Sequence, residues 1–175
     1  YFNYDILHHI LNSAGAIRFP DAQFEMVRLG IGLYGIGSNE KEHSKLQHVS
    51  TLRTSISQIN NIPVGDSVGY GRSEIAKRQL QIATIPIGYA DGLSRKHGNR
   101  RGKVLVNDKF APIIGNVCMD MCMIDVTDIQ AKEGDEVIIF GEKYPISEFA
   151  TVMETIPYEV LTNVSRRVKR VYFRE

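Results

Sequence analysis

The sequence predicts a mainly β fold: a barrel-like or sandwich β domain that follows a short α/β segment. Three observations predict it. From Leu46 onward, short runs of alternating or β-branched residues recur between turns rich in Gly, Asn, Asp and Pro. Before that point the chain offers only short helical stretches and one glycine-spaced apolar run, Met26 to Tyr34. Between the two lies Ser38 to Lys45, polar and charged, which places the boundary there: residues 1–43 as one piece and 44–175 as the β domain. Several short strands with glycine-rich turns favour a barrel or a sandwich.

In chain order, Tyr4 to Leu11 reads as a short helix, with Ile6, Ile10 and Leu11 at helical spacing. Asn12-Ser13-Ala14-Gly15 reads as its exit or a loop. Pro20 can open a helical turn. Two glycines two apart, Gly30 and Gly32, suggest close backbone approach to a partner or ligand. Val49 to Ile59 reads as a strand, Ile62 to Asp66 as a turn, and Val68 to Arg72 as a glycine-rich bend. Gln79 to Ile87 is the next strand. Arg95 to Lys103 holds five Lys/Arg residues with His97 and reads as a solvated loop. Val104–Val106 and Ala111–Ile114 flank Asn107-Asp108-Lys109 as a hairpin. Val117 to Val126 and Asp135 to Phe140 read as strands. Ser147 reads as the cap of a helix that ends before Pro157, and Glu159 to Asn163 as a helical turn. Ser165 to Glu175 reads as a closing edge strand.

Composition limits the function classes. Apolar residues make up 43% and charged residues 23%, as in a folded globular chain. A formal net charge of +1 gives no electrostatic case for nucleic acid or anionic membrane. No apolar run approaches the roughly 20 residues that span a bilayer. The opening Tyr1-Phe2-Asn3 lacks an initiator Met and a signal-peptide layout, so the chain reads as a piece of a longer one. Cys118 and Cys122, four apart on an extended strand, would lie about 13 Å apart, too far for a mutual disulfide. Reduced thiols in a cytoplasmic protein are the simpler reading.

The stretch with the most chemistry is Ile85-Pro86-Ile87-Gly88-Tyr89-Ala90-Asp91-Gly92. A β run stops at a glycine beside a tyrosine, which sets a phenol at the end of a strand on a rigid scaffold. A tyrosine that acts as a base needs its pKa lowered from about 10, as a nearby cation would do. The backbone N–H groups of Gly30 and Ile31, with the Ser13 hydroxyl, can cradle a phosphate. The alternative is a packed strand and a helix exit. Arg28 can pair with an acid, or donate to a ring nitrogen that it leaves unprotonated.

Four blocks carry a family likeness. They are Met26-Val27-Arg28-Leu29-Gly30-Ile31-Gly32-Leu33-Tyr34-Gly35, the Ile85–Gly92 stretch, Gly115-Asn116-Val117-Cys118-Met119-Asp120-Met121-Cys122-Met123-Ile124-Asp125, and the pair Thr155–Leu161 and Ser165–Tyr172. In this order, over nearly the whole chain, they resemble the alanine racemase family. The resemblance implies the last elements of a pyridoxal-phosphate-binding (β/α)₈ barrel in residues 1–43, then the family's mostly β C-terminal domain in 44–175. It implies a homodimer with an active site shared between subunits, and a cofactor lysine on an early barrel strand without counterpart here. This chain alone is then expected to be inactive.

Position by position, Tyr89 resembles the catalytic tyrosine that serves one face of the substrate. Arg28 matches the arginine facing the pyridine nitrogen, where an unprotonated nitrogen limits electron withdrawal and favours racemisation. His9 matches a histidine that supports Arg28. Ser13, Gly30, Ile31 and Tyr158 match the phosphate-binding group, and Met119 the residue whose backbone N–H meets the substrate carboxylate. The family's supply of D-alanine serves cell-wall precursors. Asn116 departs from the family's usual arginine at that place. Two alternatives stay open: a racemase for a related amino acid such as serine, and a non-catalytic β module used in dimer assembly, in which Tyr89 would be buried in the domain's own core.

Overall fold

A computed structural model describes residues 2–173. The chain divides into two compact units, Tyr1–Ser50 and Thr51–Glu175. In the first, residues 5–11 form no helix, and most of their side chains are exposed. The helical spacing of Ile6, Ile10 and Leu11 therefore misleads. The helix, α1 (Ser13–Arg18), begins where the sequence suggested an exit, because the Asn12 carboxamide accepts the Gly15 N–H at 2.9 Å and caps it. Asn12 and Arg28 form a parallel bridge, with the Arg28 N–H donating to the Leu11 carbonyl at 2.9 Å. Turns of 3₁₀ helix follow at Pro20–Ala22 and Ile31–Tyr34. The unit closes on α2 (Glu40–His43). Glu42 is buried there against Arg18 at 2.6 Å, and that guanidinium holds its carboxyl below the ordinary range.

Among its described residues the second unit carries nine strands: β1 (Leu52–Ser55), β2 (Gln58–Ile62), β3 (Ser67–Val68), β4 (Glu74–Ile75), β5 (Leu80–Ile85), β6 (Lys103–Val106), β7 (Lys109–Ile114), β8 (Cys122–Asp125) and β9 (Glu136–Phe140). Seven form one antiparallel sheet in the order β1-β9-β6-β7-β8-β5-β2, and β3 pairs with β4 apart from it. The two edge strands are consecutive in the chain, joined only through Ile56 and Ser57. Laid flat, seven strands would hold those edges nearly 30 Å apart, since strands sit about 4.8 Å from one another. A link of this length reaches about 10 Å. The sheet must therefore curl toward closure, which is the predicted barrel-like form.

The same link shows why Val49 to Ile59 is not one strand. Ile56 donates to the Asp135 carbonyl beside β9, while Ser57 donates to the Thr84 carbonyl of β5, so the backbone changes partners between adjacent residues. The β6–β7 hairpin turns on Asn107 and Asp108, both at positive φ (48° and 60°), as a tight two-residue turn requires. Val117 to Val126 is strand only over Cys122–Asp125; the part before it folds into a turn closed by the Cys118 N–H on the Met121 carbonyl.

Two helices, α3 (Ile146–Val152) and α4 (Pro157–Asn163), follow the sheet. Pro145, not Ser147, stands at the start of α3, its carbonyl taking the Glu148 and Phe149 N–H groups. Among the described residues no edge strand forms after Ser165. The Arg170 guanidinium instead binds the carbonyls of Val164, Ser165 and Val168, which holds that segment in a turn. Glu175 and its neighbour lie outside the described residues.

The core runs through Ile85, Leu93, Val104, Val106, Ile113, Ile114, Ile124 and Ile139, all fully buried. Within the basic run, His97 is also fully buried, at 0% exposure, so that run is not uniformly solvated. Its ring stacks on Phe149 at 3.9 Å between centroids, and among the described residues neither ring nitrogen has a hydrogen-bond partner. Burial disfavours the charged imidazole and lowers its pKa to about 4.

Above pH 6.5 the imidazole is neutral folded and unfolded. Between about 6.5 and 4 the unfolded chain takes up a proton that the folded chain refuses, so stability falls with pH; below 4 this contribution is constant. The full loss is about 3 kcal/mol. Urea unfolding of wild type and His97→Phe at pH 7 and pH 4 should show that much extra acid loss in wild type. Equal losses would mean that His97 is protonated in the fold.

Candidate active site at the Tyr89 turn

β5 is buried along both faces, which fixes the strand end from which the tyrosine emerges. Gly88 follows at a point of close backbone approach. A Cβ there would lie 2.3 Å from the carbonyl oxygens of both Cys118 and Met119, so no side chain fits. The next residues form a 3₁₀ turn, Tyr89–Asp91. The Tyr89 N–H donates to the Cys118 carbonyl and the Ala90 N–H to the Met119 carbonyl, each at 3.0 Å. The turn ends on Gly92 at φ 111°, a left-handed position suited to glycine, and the chain re-enters the core at Leu93.

This arrangement presents the phenol instead of burying it. Tyr89 is 44% exposed and Met119, on the adjoining turn, is 53% exposed. Both turns are tied by ionic contacts. The Asp91 carboxylate accepts the Gly88 N–H at 2.9 Å with Oδ2 and the Arg167 Nε at 2.7 Å with Oδ1. Arg167 Nη2 reaches Asp120 Oδ1, also at 2.7 Å. The paired carboxylates push the Arg167 guanidinium well above its ordinary pKa, with Asp91 the first cause. The sequence blocks contain Asp91, Asp120 and Arg167 but assign them no role. The one available signal was Asp91 three residues after Gly88, the spacing at which a carboxylate reaches back to a turn's first N–H.

The two cysteines nearby are free thiols. Cys122 is buried, and burial followed by the charge of Cys118 pushes its thiol up to about 12, so it is a packing residue and not a nucleophile. Asn116 is fully engaged. Its Nδ2 donates to the Tyr70 carbonyl at 3.1 Å and the Ser73 hydroxyl at 3.3 Å, and its Oδ1 accepts from Asn99 at 3.3 Å. It therefore ties loops together with neutral bonds where an arginine would add charge.

Within the first unit, two residues of the sequence-predicted phosphate group, Ser13 and Gly30, meet. The buried Ser13 hydroxyl oxygen accepts the Gly30 N–H at 2.8 Å and the Gly32 N–H at 3.4 Å, where the Ile31–Tyr34 turn begins. Those two N–H groups are taken up by Ser13, so the donor this cluster keeps for an anion is the Ser13 O–H itself. Arg28 Nη2 donates to the Ile10 carbonyl at 3.1 Å. His9 precedes Ile10 on the same non-helical segment and is exposed. Tyr158 stands in the first turn of α4 in the second unit and is 48% exposed.

A curled antiparallel β unit with a tyrosine turn at one strand end, preceded in the chain by a unit of short helices with one isolated parallel bridge, defines the class: a barrel-like β domain and the piece before it. Residues 49–172 match the family described as alanine racemase, C-terminal domain. The chain belongs to the alanine racemase family. It is 45% identical over 174 residues to alanine racemase 1 of Caldanaerobacter subterraneus subsp. tengcongensis, covering 95% of this chain and 45% of that protein. It is 42% identical to alanine racemase of Helicobacter pylori J99, covering 94% of this chain and 46% of that one.

Solved structures agree. Alanine racemase from Bartonella henselae with covalently bound pyridoxal phosphate superposes with a TM-score of 0.87 at 35% identity, over 97% of this chain and 48% of that one. Alanine racemase from Bacillus anthracis with bound L-Ala-P gives 0.88 at 34% identity, over 96% and 45%. The chain thus spans about half the length of the relatives it matches.

Proposed function

We propose that the whole protein interconverts L- and D-alanine with pyridoxal phosphate, in a homodimer whose active site is shared between subunits in the cytoplasm, and that Tyr89 is one of its two bases. The observation that supports this most is the presentation of Tyr89, half-exposed on a turn held to the Met119 loop, in a chain of this family. A non-catalytic packing role favours a buried tyrosine instead.

The Ser13 hydroxyl, which accepts from Gly30 and Gly32 and keeps its own proton to donate, suits a phosphate oxygen. Ser13, Gly30, Ile31 and Tyr158 would hold that group, Arg28 would face the ring nitrogen, and His9 would support Arg28. Bound pyridoxal phosphate supplies electron withdrawal that acidifies the substrate's α-carbon. Arg28 keeps its proton because a guanidinium is charged throughout the accessible range, so it donates to a ring nitrogen without protonating it. Tyr89 takes or returns the α-proton at its phenolic oxygen from one face. Inversion at a carbon requires a second base on the other face, and the family's cofactor lysine, outside this chain, is that base. The Met119 N–H orients the substrate carboxylate.

The test is racemisation by the whole protein, started from each enantiomer of alanine with pyridoxal phosphate present, and with serine as competitor. Conversion in both directions is expected, with alanine preferred over serine and none by the 175-residue chain alone. A whole protein that leaves both enantiomers unchanged would sink the reading.

A further inference from the structure

We infer that Arg167 is a positioning residue for Tyr89: its guanidinium bridges Asp91 and Asp120 and so fixes the tyrosine turn against the Met119 loop. The inference rests on the reading of Tyr89 as a base. The two carboxylates stand on different segments, Asp91 closing the Tyr89–Asp91 turn and Asp120 following Met119 directly. Arg167 comes from a third segment, 76 residues from the first and 47 from the second. It uses different nitrogens for the two, Nε for Asp91 and Nη2 for Asp120, each at 2.7 Å. A lysine, as a single point charge, cannot reproduce that fork.

The bridge also acts on the backbone. Asp91 is largely covered, and its second oxygen holds the Gly88 N–H, the residue at which the strand gives way to the turn. The Ser165 N–H binds the Asp91 carbonyl, which brings the Arg167 segment onto the same turn. Fixing Asp91 therefore fixes Gly88, and with it the direction in which the tyrosine leaves the strand. Exposed ion pairs contribute little to stability. A displacement of a reacting group by about 1 Å, however, can cost about 100-fold in rate. The predicted consequence of losing Arg167 is therefore in catalysis and not in folding.

The test uses the whole protein. Arg167→Gln should lower kcat by roughly 10- to 100-fold with KM within about twofold. It should raise the primary deuterium isotope effect for α-deuterated alanine of one enantiomer only, because one of the two bases is displaced. Arg167→Lys, which keeps one of the two contacts, should recover part of the rate. Amide hydrogen exchange at Gly88, Tyr89 and Ala90 should quicken in Arg167→Gln. Wild-type rate and isotope effects in Arg167→Gln, beside an inactive Tyr89→Phe, would overturn the inference and leave the tyrosine reading standing. An isotope effect raised equally for both enantiomers, with Lys no better than Gln, would also overturn it, as a general loss of structure. Where the wild-type protein racemises nothing, the tyrosine reading fails and exchange decides alone: faster exchange supports the bridge, unchanged exchange overturns it.

Discussion

Tyr89→Phe in the whole protein is expected to lower kcat for alanine racemisation by about 10²- to 10⁴-fold, the usual worth of a positioned acid or base. The substitution removes one oxygen and nothing else. The turn is held by backbone bonds from Tyr89 and Ala90, and by the Asp91 carboxylate on Gly88, none of which involves the phenol. The side chain is half-exposed, so loss of its hydroxyl leaves no buried group without a partner. The variant should therefore fold as wild type and retain bound pyridoxal phosphate, seen in its absorbance spectrum. Binding intact with rate lost in both directions separates a base from a structural tyrosine. Because the equilibrium between enantiomers is fixed, kcat/KM must fall by the same factor from either side. Unchanged rates would remove Tyr89 from the mechanism.

That residue was legible in the sequence because its surroundings are local. A strand-like run, a glycine, a tyrosine and a second glycine lie within eight residues, and the structure realises them as strand, close approach, turn and re-entry. The Ser13–Gly30 convergence was also readable, from glycine spacing and a hydroxyl near a helix end, though that end proved to be a start.

What supports the tyrosine was not legible. The Asp91–Arg167–Asp120 bridge joins segments dozens of residues apart, and a charge run gives no sign of which charge is shared. The misread elements have related causes. Residues 5–11 match a helical period but form no helix, and the cap that would have corrected the reading is the carboxamide of Asn12. Val49 to Ile59 is uniformly strand-like in composition, and only the change of partner at Ile56 and Ser57 divides it. His97 reads as solvated because its neighbours are, yet stacking on a residue 52 positions away buries it.

Phe149→Ala is expected to destabilise the chain by about 3–5 kcal/mol, the usual cost of emptying a buried aromatic site. Phe149 is the aromatic on which the end of the fold is assembled. It lies on α3, stacks on His97, and meets Phe140 of β9 at 5.7 Å and Tyr144 at 6.2 Å between ring centroids. Alanine cannot fill that space, and neighbours drawn from a strand, a helix and a loop cannot all collapse into it. Domains of this size have about 5–15 kcal/mol of stability, so about a fifth or more is at stake. Urea unfolding should show a lower midpoint with unchanged slope.

A second readout tests the same packing. Truncation opens the face of the imidazole to water, which offers its nitrogens partners and weakens the burial that holds its pKa near 4. The His97 pKa should then rise toward 6.5, and the extra loss of stability between pH 6.5 and 4 should shrink. Because the other titrating groups are common to both proteins, the change in acid loss between wild type and Phe149→Ala reads His97, and the difference at pH 7 reads the packing. A variant less stable by under about 1 kcal/mol, with the acid dependence of wild type, would show that Phe149 does not carry the packing described.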